Sequence, residues 1–449
     1  MKYGDIIGGT ITDIDHKGRG TFVYPLPSSP EETRTVVVPF TTLGDQVEAT
    51  FVKRDQGMWI TRLEHVSHPS PDRIQAPCPH AGVCGGCLWQ HLTYPAQCTL
   101  KQQMIAKALS EAGHAERPKR FIPCQNPLYY RNRMDYVFGW KGELGLKEYG
   151  SWNRYIDIQT CLLLDEDTPT ILDHVRRWMR DLRLEPWDAK RHTGQVRYCV
   201  IRLGKQTNER MITIVVHNLA SLTHQAKAEL HTRLTPWCTT LYLGENPTVT
   251  DLSLASTLEL LHGNAYLTEE VHHLSYLIHP NSFFQTNSEM AAQLQHAVLD
   301  EMGDVRGKHI LDLYCGLGFF GIACAKRGAT VYGRELDPFA INLAKQNSQR
   351  NGVAHLATFE QGTVETYDWN TRPPDATIVD PPRAGLHPHA LKTLIEKKPP
   401  TIIYVSCNYR SFATELTLLK QVYRVASMTA LDLFPQTPHV ELVTKLVLS

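Results

Sequence analysis

The stretch Asp312-Leu313-Tyr314-Cys315-Gly316-Leu317-Gly318 limits what this chain can become more than any other. An apolar run, residues 309–313, carries an acid into a turn with two glycines, and a helical pattern opens at Phe319. Glycine belongs in such a turn because a side chain would strike an approaching ligand or forbid the backbone its path. From about residue 266 onward, strand-like runs at 309–313, 330–333, 376–379 and 401–405 alternate with helical stretches. That alternation predicts an α/β fold built on a doubly wound, mainly parallel sheet. Ligands bind such sheets along the carboxyl edge of the strands.

The rest of the chain reads differently. At 449 residues it exceeds one ordinary core, so two or three domains are expected. Residues 1–65 show five short strands (6–12, 20–25, 35–39, 46–53 and 58–63) punctuated by turns such as Asp15-His16-Lys17-Gly18-Arg19-Gly20. Five strands in so few residues predict a small closed barrel such as an OB-fold. Prolines and serines mark 65–76 as a linker, and residues 77 to about 265 mix strands with helices. The chain carries 46 basic and 46 acidic residues, so bulk charge does not direct it to nucleic acid. Residues 101–205 are locally basic, with 19 Lys/Arg against 13 Asp/Glu, a pattern a solvated surface also explains. No run approaches eighteen apolar residues and no apolar leader opens the chain, which predicts a cytoplasmic protein without membrane contact. In that compartment the eleven cysteines are expected reduced, and clustered ones read as metal ligands or catalysts.

Two chemistries stand out. The first is a nucleotide-type site. Gly316-x-Gly318-x-x-Gly321 fits a dinucleotide fingerprint, and Glu335 ends the next strand, where a carboxylate binds ribose hydroxyls. Dinucleotide oxidoreductases and S-adenosylmethionine enzymes share this arrangement. Asp380-Pro381-Pro382-Arg383 follows a later strand, and its prolines stiffen the exit and remove two backbone donors. The second is a thiol at a strand end: Tyr404-Val405-Ser406-Cys407-Asn408 delivers Cys407 to the same sheet edge. A free cysteine is usually a small buried hydrophobe, which suffices for Cys315 and Cys324. Cys407 is placed as a nucleophile. Glu441, among apolar neighbours in His439-Val440-Glu441-Leu442-Val443, is the candidate base, with a surface ion pair on an edge strand as its alternative.

A third group lies upstream. Cys78, Cys84 and Cys87 are spaced C-x5-C-x2-C with glycines between them, which predicts metal ligation. Cys98, Cys124, Cys161, His80 and His91 are available as a fourth ligand, and both zinc and an iron–sulfur cluster stay open on these residues.

Taken together, these motifs closely resemble those of the S-adenosylmethionine-dependent RNA uracil-C5 methyltransferases, over nearly the whole chain. The resemblance implies an RNA-binding TRAM domain of OB-fold type at 1–65, a central α+β iron–sulfur domain at 66–265, and a Rossmann-like class I methyltransferase domain at 266–449. Cys78, Cys84, Cys87 and Cys161 match the family's [4Fe–4S] ligands, Cys161 through the stretch Asp157-Ile158-Gln159-Thr160-Cys161. Phe283-Phe284-Gln285-Thr286-Asn287 matches its F-x-Q-x-N loop, whose glutamine contacts S-adenosylmethionine. Tyr314, Gly316, Glu335 and Asp380 fall on the other cofactor positions, Cys407 on the nucleophile and Glu441 on the general base. Base methyltransferases commonly carry an Asp/Asn-Pro-Pro, as here.

The implied chemistry is consistent. Uracil C5 is too weak a nucleophile until a thiolate adds to C6; a base must later remove the C5 proton. Transfer to an exocyclic amine is the next reading, but Arg383 stands where such enzymes place an aromatic, and Cys407 would have no task. A non-catalytic iron–sulfur RNA-binding protein comes third. The family's pattern after the second glycine is broken by Phe319-Phe320, which bears on packing near the methionine end. The barrel holds 7 basic and 9 acidic residues, so its RNA contact would be local or shape-based. The expected target is large-subunit (23S) ribosomal RNA, with the T-loop of transfer RNA as the alternative, and the expected state is a monomer.

Overall fold

The computed structural model describes residues 1–26 and 29–449. The chain divides into two compact units: residues 1–104, 146–156 and 434–439 form the first, and 105–145, 157–433 and 440–449 the second.

The first unit is built on a six-stranded sheet. Its order is Ile6–Thr10, Gln46–Asp55, Met58–His68, Ser29–Val38, Gly20–Leu26, Asp13–Ile14. One pairing, Val36 and Val37 against Trp59 and Ile60, is parallel; the other four are antiparallel. Alternating burial drives these strands, with Val36, Val37, Val38, Val47, Ala49 and Trp59 forming the core. Two expectations are corrected. The first run breaks at Ile11-Thr12 into separate strands, and the last strand continues to His68, into the stretch expected as linker. Helix Tyr94–Glu111 begins in this unit; its Gln97 exchanges two hydrogen bonds with Gln436, both 2.9 Å.

The second unit holds an antiparallel pair, Leu267–Val271 with Leu274–Ile278, and most or all of two larger sheets. A seven-stranded one runs Tyr155–Asp157, Leu144–Lys147, Arg133–Phe138, Val196–Gly204, Glu209–Val216, Thr240–Glu245, Thr257–Gly263. Strand Val196–Gly204 is buried at all nine positions, as a central strand covered on both faces must be. The eight-stranded sheet has the order Ala357–Gln361, Thr330–Glu335, His309–Leu313, Ala376–Val379, Thr401–Ser406, Glu441–Leu448, Tyr423–Leu431, Arg120–Ile122. Its first five strands are parallel, and helices join successive ones as the alternation predicted, except between Ala357–Gln361 and Ala376–Val379, which an irregular segment connects. Glu441–Leu448 is antiparallel to both neighbours, so it is an interior strand and the edge-strand alternative for Glu441 fails. Among the described residues, no helix is long and apolar enough to cross a membrane.

Candidate active site and cysteine loop

Four consecutive strand ends bring the expected residues of the second unit to one sheet edge. Strand His309–Leu313 runs into Tyr314, Gly316 and Gly318, all at positive φ (62°, 52° and 89°). Gly318 then caps helix Phe319–Lys326. The third glycine serves packing: a Cβ on Gly321 would lie 2.9 Å from both the Asp312 carboxylate and Val331. Glu335 closes the neighbouring strand and accepts N–H groups from Gly316 (3.3 Å), Leu336 (2.6 Å) and Asp337 (3.0 Å). Its carboxylate is thereby fixed beside the glycine turn. Asp380 and Cys407 follow the next two parallel strands directly.

Strand register then supplies Glu441. Ser406 pairs with Leu442 across antiparallel strands, so the next residues out, Cys407 and Glu441, stand opposite each other. Glu441 is 4% exposed. Burial, reinforced by the Asp380 charge, raises its pKa well above the usual carboxylate range. Burial also pushes Asp380 up to about 7, although the residue as a whole is only half-buried. For Cys407 burial acts first, then the Glu441 and Asp380 charges, and together they push the thiol up to about 12 against the opposing pull of Arg383.

The turn holding Cys407 is fastened by a residue the sequence reading passed over. Asn408 caps helix Tyr409–Leu419 by accepting the Arg410 N–H, and its amide donates to the Arg383 carbonyl at 3.0 Å and to Ser411 at 2.7 Å. Glu415 secures the same loop from below, accepting from Leu386 N–H at 2.8 Å and from the Tyr404 hydroxyl at 2.5 Å. The helix-cap position of Asn408 was the signal available in the sequence. Gln285 is buried in a loop without regular structure, and Asn287 caps helix Ser288–Met302. Phe319, the departure from the family pattern, packs into an aromatic group with Tyr276, Phe284 and Phe320, at centroid distances of 5.6, 5.6 and 5.0 Å.

In the first unit, Cys78, Cys84 and Cys87 lie in a loop seated against residues 147–149. Gly85 N–H donates to the Lys147 carbonyl at 2.9 Å, where a Cβ would stand only 3.1 Å from that oxygen. Cys84 sulfur accepts the Gly86 N–H at 3.4 Å, and Cys87 sulfur accepts the Gln90 amide at 3.2 Å. Leu88 and Trp89, which follow, both donate to the Gln436 carbonyl. Cys161 is buried in the second unit. Among the described residues, no three His, Cys, Asp or Glu side chains stand together as a metal site. Cys199, Cys315 and Cys324 are buried, as small hydrophobes are.

Comparison with known proteins gives the family. A family model described as tRNA (Uracil-5-)-methyltransferase matches residues 203–447. The tRNA (uracil(54)-C(5))-methyltransferase of Pyrococcus horikoshii is 36% identical over 92% of this chain and 95% of its own length. The 23S rRNA (uracil(747)-C(5))-methyltransferase of the same organism is 33% identical over 98% of each. The crystal structure of the Pyrococcus abyssi tRNA (uracil-54, C5)-methyltransferase in complex with S-adenosyl-L-homocysteine superposes with a TM-score of 0.82, at 32% identity over 98% of this chain and 99% of that one. With a family model over more than half of its length and relatives matched over nearly all of it, the chain belongs to the S-adenosylmethionine-dependent RNA uracil-C5-methyltransferases.

Proposed function

We propose that this enzyme methylates one uridine of 23S rRNA through a covalent adduct on Cys407, with Glu441 as the general base. The opposed register of Cys407 and Glu441 carries this assignment, since one side chain must reach C6 of the base and the other the adjacent C5. Gln285, Tyr314, Gly316, Glu335 and Asp380 would hold S-adenosylmethionine, which supplies an electrophilic methyl group when bound. Cys407 gives its proton to solvent as its sulfur bonds to C6, C5 becomes nucleophilic enough to accept the methyl, and S-adenosyl-L-homocysteine departs. Glu441, as carboxylate, then takes the C5 proton and later releases it to solvent, while the sulfur–C6 bond breaks with its electron pair on sulfur and the thiolate regains a proton from solvent. A target base must leave its stack to meet a half-buried thiol and a buried carboxyl. Incubating 5-fluorouridine RNA with enzyme and S-adenosylmethionine should trap a covalent protein–RNA adduct, since Glu441 cannot remove fluorine as a proton. No adduct, or 5-methyluridine formed by Cys407→Ala at the parental rate, would sink the mechanism.

The proposed domains are a TRAM OB-fold at 1–65, an iron–sulfur and RNA-recognition domain at 66–265 and the catalytic domain at 266–449. Strand pairing supports the first: Ile6–Thr10 and Asp13–Ile14 are two arms of one bent run, and they occupy opposite margins of the six-stranded order. Counted once, that run closes the sheet as a five-stranded barrel. For the cluster, Cys78, Cys84, Cys87 and Cys161 would supply four thiolates to a [4Fe–4S] group. The N–H groups already directed at two of these sulfurs suit that donor set. Anaerobically purified protein should show a broad visible absorbance shoulder and bound iron, both lost in Cys84→Ser; stoichiometric zinc instead would refute it.

The 23S target is supported by correspondence to the rRNA relative over 98% of each chain. A second reading, uridine in the T-loop of transfer RNA, is favoured by the higher identity, 36%, to the tRNA(U54) relative. Mapping 5-methyluridine in both RNA pools of a deletion strain separates the two.

A further inference from the structure

We propose that Asn132 and Arg202, from the seven-stranded sheet, are positioning residues that pin the loop carrying Gln285 at both ends. The inference rests on Gln285 being a cofactor contact. Residues 282–285 have no strand or helix partners, so their backbone polar groups must be satisfied by side chains or neighbouring loops. Asn132 does most of this work at one end. It precedes strand Arg133–Phe138 and is itself held there, its carbonyl accepting the Leu203 N–H at 2.8 Å. Its backbone N–H donates to the Thr286 carbonyl at 2.8 Å. Its side-chain amide nitrogen donates to the Gln285 carbonyl at 2.8 Å and to the Ser288 hydroxyl oxygen at 2.9 Å.

The orientation of that amide is fixed by its neighbours. Ser288 commits its own hydroxyl proton to Glu269, so its oxygen must accept from Asn132. Glu269 is fully buried and in turn accepts the Lys205 and Gln206 N–H groups, both at 3.0 Å. At the other end the buried Arg202 guanidinium donates to the Ser282 carbonyl. Between the pins the side chains alternate: Phe283 is 72% exposed, whereas Phe284 and Gln285 are buried. Phe284 packs against Tyr276 and Phe319, and the polar pins on either side fix the backbone that carries Gln285.

The test is S-adenosyl-L-homocysteine binding by calorimetry to Asn132→Ala, Gln285→Ala and the double variant, with melting temperature and cofactor-free RNA binding recorded for each. Asn132→Ala should weaken cofactor binding about tenfold by freeing the Gln285 carbonyl. It should leave RNA binding near parental, and the double variant should bind no more weakly than Gln285→Ala alone. Asn132→Ser, which keeps a donor, should lie between parent and alanine, and it carries the same comparison if Asn132→Ala does not fold. Parental affinity in Asn132→Ala, or two losses that simply multiply, overturns the pinning. Parental affinity in Gln285→Ala instead removes the cofactor role of Gln285, and the proposal falls with it.

Discussion

Cys407 ends a strand buried from Ile402 to Ser406, whereas Cys78, Cys84 and Cys87 lie in an irregular loop shaped by Gly82, Gly85 and Gly86. In the first setting the backbone ladder sets where the sulfur goes, and two carboxyls surround it. In the second, loop contacts set the backbone and N–H groups point at the sulfurs. The contrast teaches that a strand end and a loop can treat the charge on a sulfur in opposite ways. Burial and the two neighbouring carboxyls raise the pKa of the Cys407 thiol, while sulfurs that accept N–H bonds carry negative charge more readily.

The largest expected effect concerns the carboxyl facing Cys407. Glu441→Gln keeps the shape but cannot take a proton, so turnover should fall roughly 10²–10⁴-fold. Methylated RNA should accumulate as a covalent adduct on Cys407, visible as a shifted band in denaturing gels. Turnover at parental speed would assign the base elsewhere.

Thiol reactivity probes the same contrast directly. With the thiol pushed up to about 12, Cys407 in RNA-free enzyme should be alkylated by iodoacetamide about a hundredfold more slowly than free cysteine at pH 7.5. The rate should climb about tenfold per pH unit. Fast labelling at neutral pH would show that a thiolate already exists there.

Stability offers a smaller effect with a definite sign. Asp380 is raised to about 7 from an ordinary value near 3.8, so the folded state favours its protonated form. That contribution is fully present below about pH 4, declines between pH 4 and 7, and is absent above. Parental melting temperature should therefore fall as pH rises through this window, and Asp380→Asn should flatten the fall by up to a few kcal/mol. Identical pH profiles would remove the burial argument.

The smallest change expected is from Asn408→Ala. Loss of the helix cap should cost about 1 kcal/mol, read as a melting shift of a few degrees. Loss of the tie to Arg383 should lower turnover a further few-fold. An unchanged turnover with the same melting shift would make Asn408 a cap and nothing more.

Much of this was legible in order along the chain. The parallel strands at 309–313, 376–379 and 401–406, the glycine turn and the acid at 335 follow from local pattern, because strand, turn and helix each leave a short-range signature. The break at Ile11-Thr12 and the extension to His68 did not, because pairing partners decide where a strand ends. Asn132 and Arg202 were invisible as site residues: each is an ordinary residue of a different sheet, and its function depends on a loop about 150 residues (Asn132 to Gln285) or 80 residues (Arg202 to Ser282) away.

By itself the sequence determined which chemical groups are present and which strand ends carry them: a thiol after 406, acids at 335 and 380, glycines that open a turn. Tertiary structure alone decided that Glu441 stands across from Cys407, since register between antiparallel strands is set by long-range pairing and not by either segment. It also raised the pKa of both groups. A carboxyl or thiol has its ordinary pKa in an extended chain, and only the packing of distant residues around it removes the water that stabilises its charge.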